Sequence, residues 1–155
     1  MTRTACAQVT IISALTLVAS VSHPAFASDR IPNIKGKWAG KTHTIVAGAG
    51  LHWPSNKGTF AKPGLFEKDV VIEVIGQEGR RFWGMQTLSG NGEQTHEPMI
   101  GELTGKDNKT VVIVDTDGFL NGQLVEDDVL SFCYTQVGGK TTASVVSCTE
   151  VKRTP

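Results

Sequence analysis

The side chains of this chain that are best suited to chemistry are scattered. His43, His52 and His96 carry imidazole nitrogens, and Asp115 and Asp117 carry carboxylates two positions apart. Imidazole and carboxylate are the donors that hold zinc and related metals. No two of these histidines stand at a short ligand spacing, and His43 falls on the outward side of its segment, so no metal site is predicted. Asp115-Thr116-Asp117-Gly118 resembles the start of a calcium loop but lacks the distal bidentate Glu. An Asp-Gly step between two alternating segments reads instead as a hairpin turn. Ser, His and Asp are present, but no nucleophile elbow or short motif joins them. A nucleophile needs a base and an orienting group within hydrogen-bond reach. No catalytic residue is assigned and no cofactor is expected.

The first residues speak about compartment. Arg3 precedes an uncharged, largely apolar stretch from Ala5 to about Val21, and His-Pro-Ala-Phe-Ala follows, ending at Ala27. A positive start, an apolar middle and a small-x-small end form a secretory signal peptide, with cleavage expected after Ala27. The stretch is too short and too rich in Ser and Thr for a membrane span, and no second span follows. The predicted organisation is a signal peptide over 1–27 and one domain over 28–155, periplasmic or secreted. Loss of Arg3 leaves that domain about one charge negative, with no basic stripe to neutralise phosphates, so nucleic-acid binding is not expected. Cys6 departs with the signal. Cys133 and Cys148 remain as an even pair in an oxidising compartment and are predicted to form one disulfide.

The domain must position whatever it carries on strands. Short runs of alternating apolar residues are separated by turn residues, and helical spacing is scarce. Eight strands are predicted, over about 35–46, 66–76, 80–88, 95–103, 109–115, 119–125, 129–137 and 142–152. Short links between successive strands make an up-and-down antiparallel meander, and eight strands can close into a barrel that leaves no bare edge. The alternative is a two-sheet sandwich.

Alternation also assigns faces. Trp38, Thr42 and Thr44 point inward, as do Val70, Ile72 and Val74, and Leu130, Phe132 and Tyr134. If Cys133 points outward, its cross-strand partner Cys148 must do so too, which turns Val145, Ser147, Thr149 and Val151 inward. Gly36, Gly40, Gly84, Gly101 and Gly122 fall on inward positions, where glycine permits sharp coiling.

Gly36-Lys37-Trp38 at the head of an eight-strand meander resembles the lipocalin and avidin-like (calycin-type) barrels. The resemblance spans roughly residues 34–153 in layout. It implies that Trp38 plugs one end and that a basic residue late in the last strand, Lys152 or Arg153, packs over it. Arg153 has the inward parity. The second lipocalin signature, Thr-Asp-Tyr, is missing, and no convincing set of biotin-binding residues is present. A secreted bacterial protease-inhibitor family also combines a small barrel with a disulfide, so fold likeness does not select a function.

At the end opposite Trp38, the segment 47–65 is too long for an ordinary hairpin link and reads as a lid. His52, Trp53, His96, Asp115 and Asp117 are expected around this mouth. Whether Asp115 points inward depends on the length of its turn. Beneath the mouth, Thr42, Thr44, Gln86 and Tyr134 are expected to orient a ligand in an otherwise apolar cavity. On the outer face a three-residue turn over Gln77–Gly79 would pair Glu73 with Trp83 and Val71 with Met85. That would gather Val71, Trp83 and Met85 into a dimer or partner surface. Two functions compete: an exported protein that binds a small, mainly apolar molecule, and a protein-interaction module such as a protease inhibitor or envelope factor that uses the outer barrel face.

Overall fold

The computed structural model describes residues 30–50, 55, 57–90, 92–139 and 143–155. The expected signal peptide, and with it Cys6, lies outside these residues.

Eight strands follow one another: β1 (Gly36–Ala47), β2 (Gly64–Glu78), β3 (Arg81–Gly90), β4 (Glu93–Thr104), β5 (Thr110–Val114), β6 (Phe119–Glu126), β7 (Val129–Gln136) and β8 (Ser144–Arg153). Each pairs antiparallel with the next, and β1 pairs with β8, closing the barrel. The predicted fold class therefore holds, and the sandwich alternative falls. Closure gives each of these strands two partners, so among the described residues no strand edge is left to recruit a foreign strand.

The β2–β3 link differs from the expected three-residue turn. Gly79 and Arg80 form a two-residue turn, with Gly79 at φ 58° and Glu78 opposite Arg81. A bulge between Val74 and Gly76 then takes up one extra residue of β2 and leaves Ile75 exposed. Beyond the bulge Val74 faces Gly84. A Cβ on Gly84 would come within 1.8 Å of the Glu73 carbonyl oxygen, so only glycine permits this approach. The consequence for the outer face is a changed pairing. Glu73 meets Met85, Val71 meets Thr87, and Trp83 lies over Gly76.

Cys133 and Cys148 are directly opposed on β7 and β8 and form the predicted disulfide. Its side chains point outward, and Val145, Ser147 and Val151 are buried as parity requires.

The interior divides into two halves. Near the start of β1 it is packed with apolar side chains, among them Trp38, Ile72, Phe82, Leu103, Ile113 and Leu124, all at most 2% exposed. The Trp38 ring nitrogen donates to the Ile34 carbonyl at 3.0 Å. Arg153, the cross-strand partner of Trp38, lays its guanidinium 4.2 Å from the ring centroid. The same guanidinium donates to the carbonyls of Lys35 and Asn33. Cation–π attraction and carbonyl bonds thus cap this end from the last strand.

Toward the other end the inward positions turn polar. Thr42, Thr44, Lys68, Gln86, Glu97, Gln136 and Ser147 are all buried there. Among the described residues no helix is long and apolar enough to cross a membrane.

Candidate functional site

The polar half of the barrel encloses a cavity of about 40 Å³. Val70, Leu88, Phe132 and Val145 supply its apolar wall. Thr42, Thr44, Gln86 and Tyr134, expected to face a ligand, all line it, and so do Lys68, Glu97, Gln136 and Ser147. Polar and apolar side chains share the lining, yet most of the surface that faces the cavity is apolar, as expected from the sequence. The alternation that buries Val70 on β2 also buries Lys68. Both threonines of β1 reach across to β8. Thr44 Oγ1 lies 2.7 Å from Ser147 Oγ, and Thr42 shares the same hydroxyl. These three groups satisfy one another and form a fixed floor on one side.

Glu97 lines the opposite side, and two further acids stand beside it. Glu97 projects inward from β4, on the parity that also buries Met99 and Leu103. Its cross-strand neighbour on β3 is Gln86. Asp115 and Asp117 come from the β5–β6 turn, where Asp115 N–H donates to the Gly118 carbonyl. That closes a two-residue turn over Thr116 and Asp117 and turns Asp115 toward the interior with Ile113. Asp115 Oδ1 accepts the backbone N–H of Gly118 at 2.8 Å and of Asp117 at 3.2 Å. Asp117 is held from the other strand. Its Oδ1 accepts the Tyr134 hydroxyl at 2.8 Å, and its Oδ2 accepts Gln136 Nε2 at 2.7 Å. One carboxylate oxygen from each of Glu97, Asp115 and Asp117 lies within 4.8 Å of the others.

Burial perturbs these groups. Loss of water, then the charges of Asp115 and Asp117, then a hydrogen bond with Asp115 push Glu97 up to about 7. Burial and the bond to Asp117 push the Tyr134 hydroxyl up, so it remains a donor near neutral pH. Burial lowers Lys68, against the opposing charge of Glu93 at 3.9 Å. A perturbed carboxyl beside two others in a concave interior makes this a candidate functional site. Such a group can share a proton with its neighbours or hold a positive charge between them.

Not every expected residue arrives here. His52 and Trp53 lie outside the described residues, although the base of their loop is pinned by Gly48 and Gly58 (N···O 2.9 Å) and by Lys57 and Gly48 (2.9 Å). His96 was expected at the mouth but faces outward, where Nδ1 meets Thr87 Oγ1 at 3.0 Å. The reason is parity: with Met99 and Leu103 inside, position 97 points in and position 96 points out. Glu97 was missed by the sequence reading, although the inward assignment of Gly101 already implied it. His43 is exposed, as its parity requires.

No protein-family model, no curated protein and no solved structure matches this chain.

Proposed function

We propose that this chain is an exported binding protein with a lipocalin-like barrel, which takes the polar group of a small ligand into the end opposite Trp38. One observation carries the reading: a small cavity with convergent polar groups sits above a solidly packed apolar plug. Drug-sized ligands occupy about 300–1,000 Å³, whereas this cavity has room for a few water-sized groups. The ligand therefore seats a compact polar head among Thr44, Gln86, Glu97 and Ser147, and any larger body extends toward the 48–63 loop. The secretory pattern of residues 1–27 and the Cys133–Cys148 bridge support an exported setting.

Native mass spectrometry of protein purified gently from its source tests this. A co-purifying small molecule that is lost in Gln86→Leu supports the reading. A ligand-free protein that accepts nothing from an extract of its source sinks it.

A second reading, an interaction module working through the outer face, is favoured by one row of side chains. Trp83, Ile100, Val114 and Phe119 are successive cross-strand partners on β3 to β6, each exposed by 42–67%. Of the three residues expected on this surface, Trp83 belongs to the row, while Val71 and Met85 are only partly exposed. Sedimentation of the wild type and of Ile100→Glu distinguishes the readings: a dimer in the first that dissociates in the second supports this surface.

A further inference from the structure

We propose that the carboxylates of Glu97, Asp115 and Asp117, with the amide oxygen of Gln86, form a site for a hard divalent cation, calcium fitting best. The inference uses the cavity invoked above but does not depend on an organic ligand being bound there.

A group of three acids alone says little, because such clusters are common at surfaces. The independent observation is Gln86. It is 4% exposed, and its Oε1 has no hydrogen-bond partner among the described residues. It stands directly opposite Glu97 in the sheet and lines the same cavity. A buried amide oxygen without a donor is unfavourable, and native proteins seldom leave one. A cation held between this oxygen and the neighbouring carboxylates would satisfy it.

The carboxylates are also held from behind. Tyr134 and Gln136 each donate to one oxygen of Asp117. Backbone N–H groups of Asp117 and Gly118 fix Oδ1 of Asp115. Donors of this kind orient metal ligands and restrict their motion. Lys68, the other cation at this cavity, has its ammonium 3.9 Å from Glu93. The site therefore keeps a negative balance.

The donor chemistry selects the ion. All four ligands are oxygens, and the nearest imidazole on β4, His96, faces away. Oxygen-only sets suit calcium and magnesium over zinc or copper. Calcium tolerates the irregular arrangement that one strand residue, one turn and one amide provide, whereas magnesium demands a near-ideal octahedron. The cavity of about 40 Å³, which Glu97 and Gln86 line, leaves room on that side for water in the shell.

The test is calorimetric titration of chelator-treated, oxidised protein with calcium chloride and, separately, magnesium chloride. One-to-one saturable binding of calcium, weaker binding of magnesium and a calcium-dependent rise in Tm are expected. Glu97→Gln and Asp117→Asn should each weaken calcium at least about tenfold. If either variant fails to fold, terbium luminescence of the wild type decides. Tyr134 is the only tyrosine of the chain and bonds directly to Asp117, so it should sensitise terbium emission that calcium then displaces. The proposal is overturned by absence of heat and of terbium emission at up to about 10 mM cation, above the range of extracellular calcium modules. Unchanged calcium affinity in folded Glu97→Gln overturns it equally. Calcium binding with no co-purifying small molecule would uphold this site while removing the ligand-binding reading.

Discussion

The Tyr134 hydroxyl donates to Asp117 across 2.8 Å through space that exists because residue 118 is glycine. A Cβ at that position would lie 2.2 Å from the Tyr134 oxygen. The tyrosine ring is buried inside the barrel, so Gly118→Ala must displace either the ring or the turn. A loss of about 1–3 kcal/mol is expected by urea denaturation, the range for overpacking a filled interior. Tyr134→Phe removes only a hydrogen bond to a carboxylate and should cost about 1.5–3 kcal/mol.

Glu97 makes stability depend on pH. Its folded-state value of about 7 lies above the ordinary 4.5, so the folded protein holds this proton more tightly than the unfolded chain. That contribution is fully present below about pH 4.5 and is lost as pH rises through about 7. The groups facing Glu97 are Asp115 and Asp117 from the β5–β6 turn and Tyr134 from β7, with Lys68 of β2 on the same cavity. In chelator, the urea midpoint should fall between pH 5 and pH 8, by an amount equivalent to about 2–3 kcal/mol. Glu97→Gln should flatten the profile and be the more stable form at pH 8. A flat wild-type profile would contradict the assignment.

Cutting the bridge acts chiefly on the unfolded chain. Cys133 and Cys148 are separated by 15 residues in sequence, and closing a loop of that size contributes about 3 kcal/mol. Cys133→Ser with Cys148→Ser should lower the urea midpoint accordingly. The strand pairing on either side should be kept, as far-ultraviolet circular dichroism would show.

At the opposite pole, Arg153→Ala removes the cover of Trp38 and the donors to Lys35 and Asn33 together. A cost of about 2–4 kcal/mol and an altered tryptophan emission are expected. Arg153→Lys should restore only a small part, because an ammonium cannot reproduce the planar fork that stacks and donates in two directions.

Much of the fold was legible because a strand alternates with a period of two, and one secure inward residue fixes the rest of its strand. Trp38 and Ile72 oriented the first two strands, and the outward Cys133 oriented the last. What alternation does not reveal is a place where the count breaks. The bulge at Ile75 arises because a two-residue turn at Gly79–Arg80 and the close approach of Gly84 to Glu73 demand different registers. Neither constraint is visible until the strands are paired, so the outer pairing of Trp83 was misjudged. The floor of the cavity followed from parity, since Thr42, Thr44, Gln86 and Tyr134 all face it. The acidic group beside it was legible only in part. Asp115 and Asp117 are expected both in the turn and at the mouth, whereas Glu97 is not singled out, its neighbour His96 being placed at the mouth instead. Only the register of β4 against β5 brings the three together.

The pairing of the first strand with the last has a consequence for biogenesis. Gly36–Ala47 finds one of its two partners only when Ser144–Arg153 is available. A chain lacking that final segment would present two bare edges and could not enclose Trp38. Contacts so distant in sequence slow folding into the millisecond-to-second range. Until that segment docks, the first and seventh strands stay open to pairing with another chain.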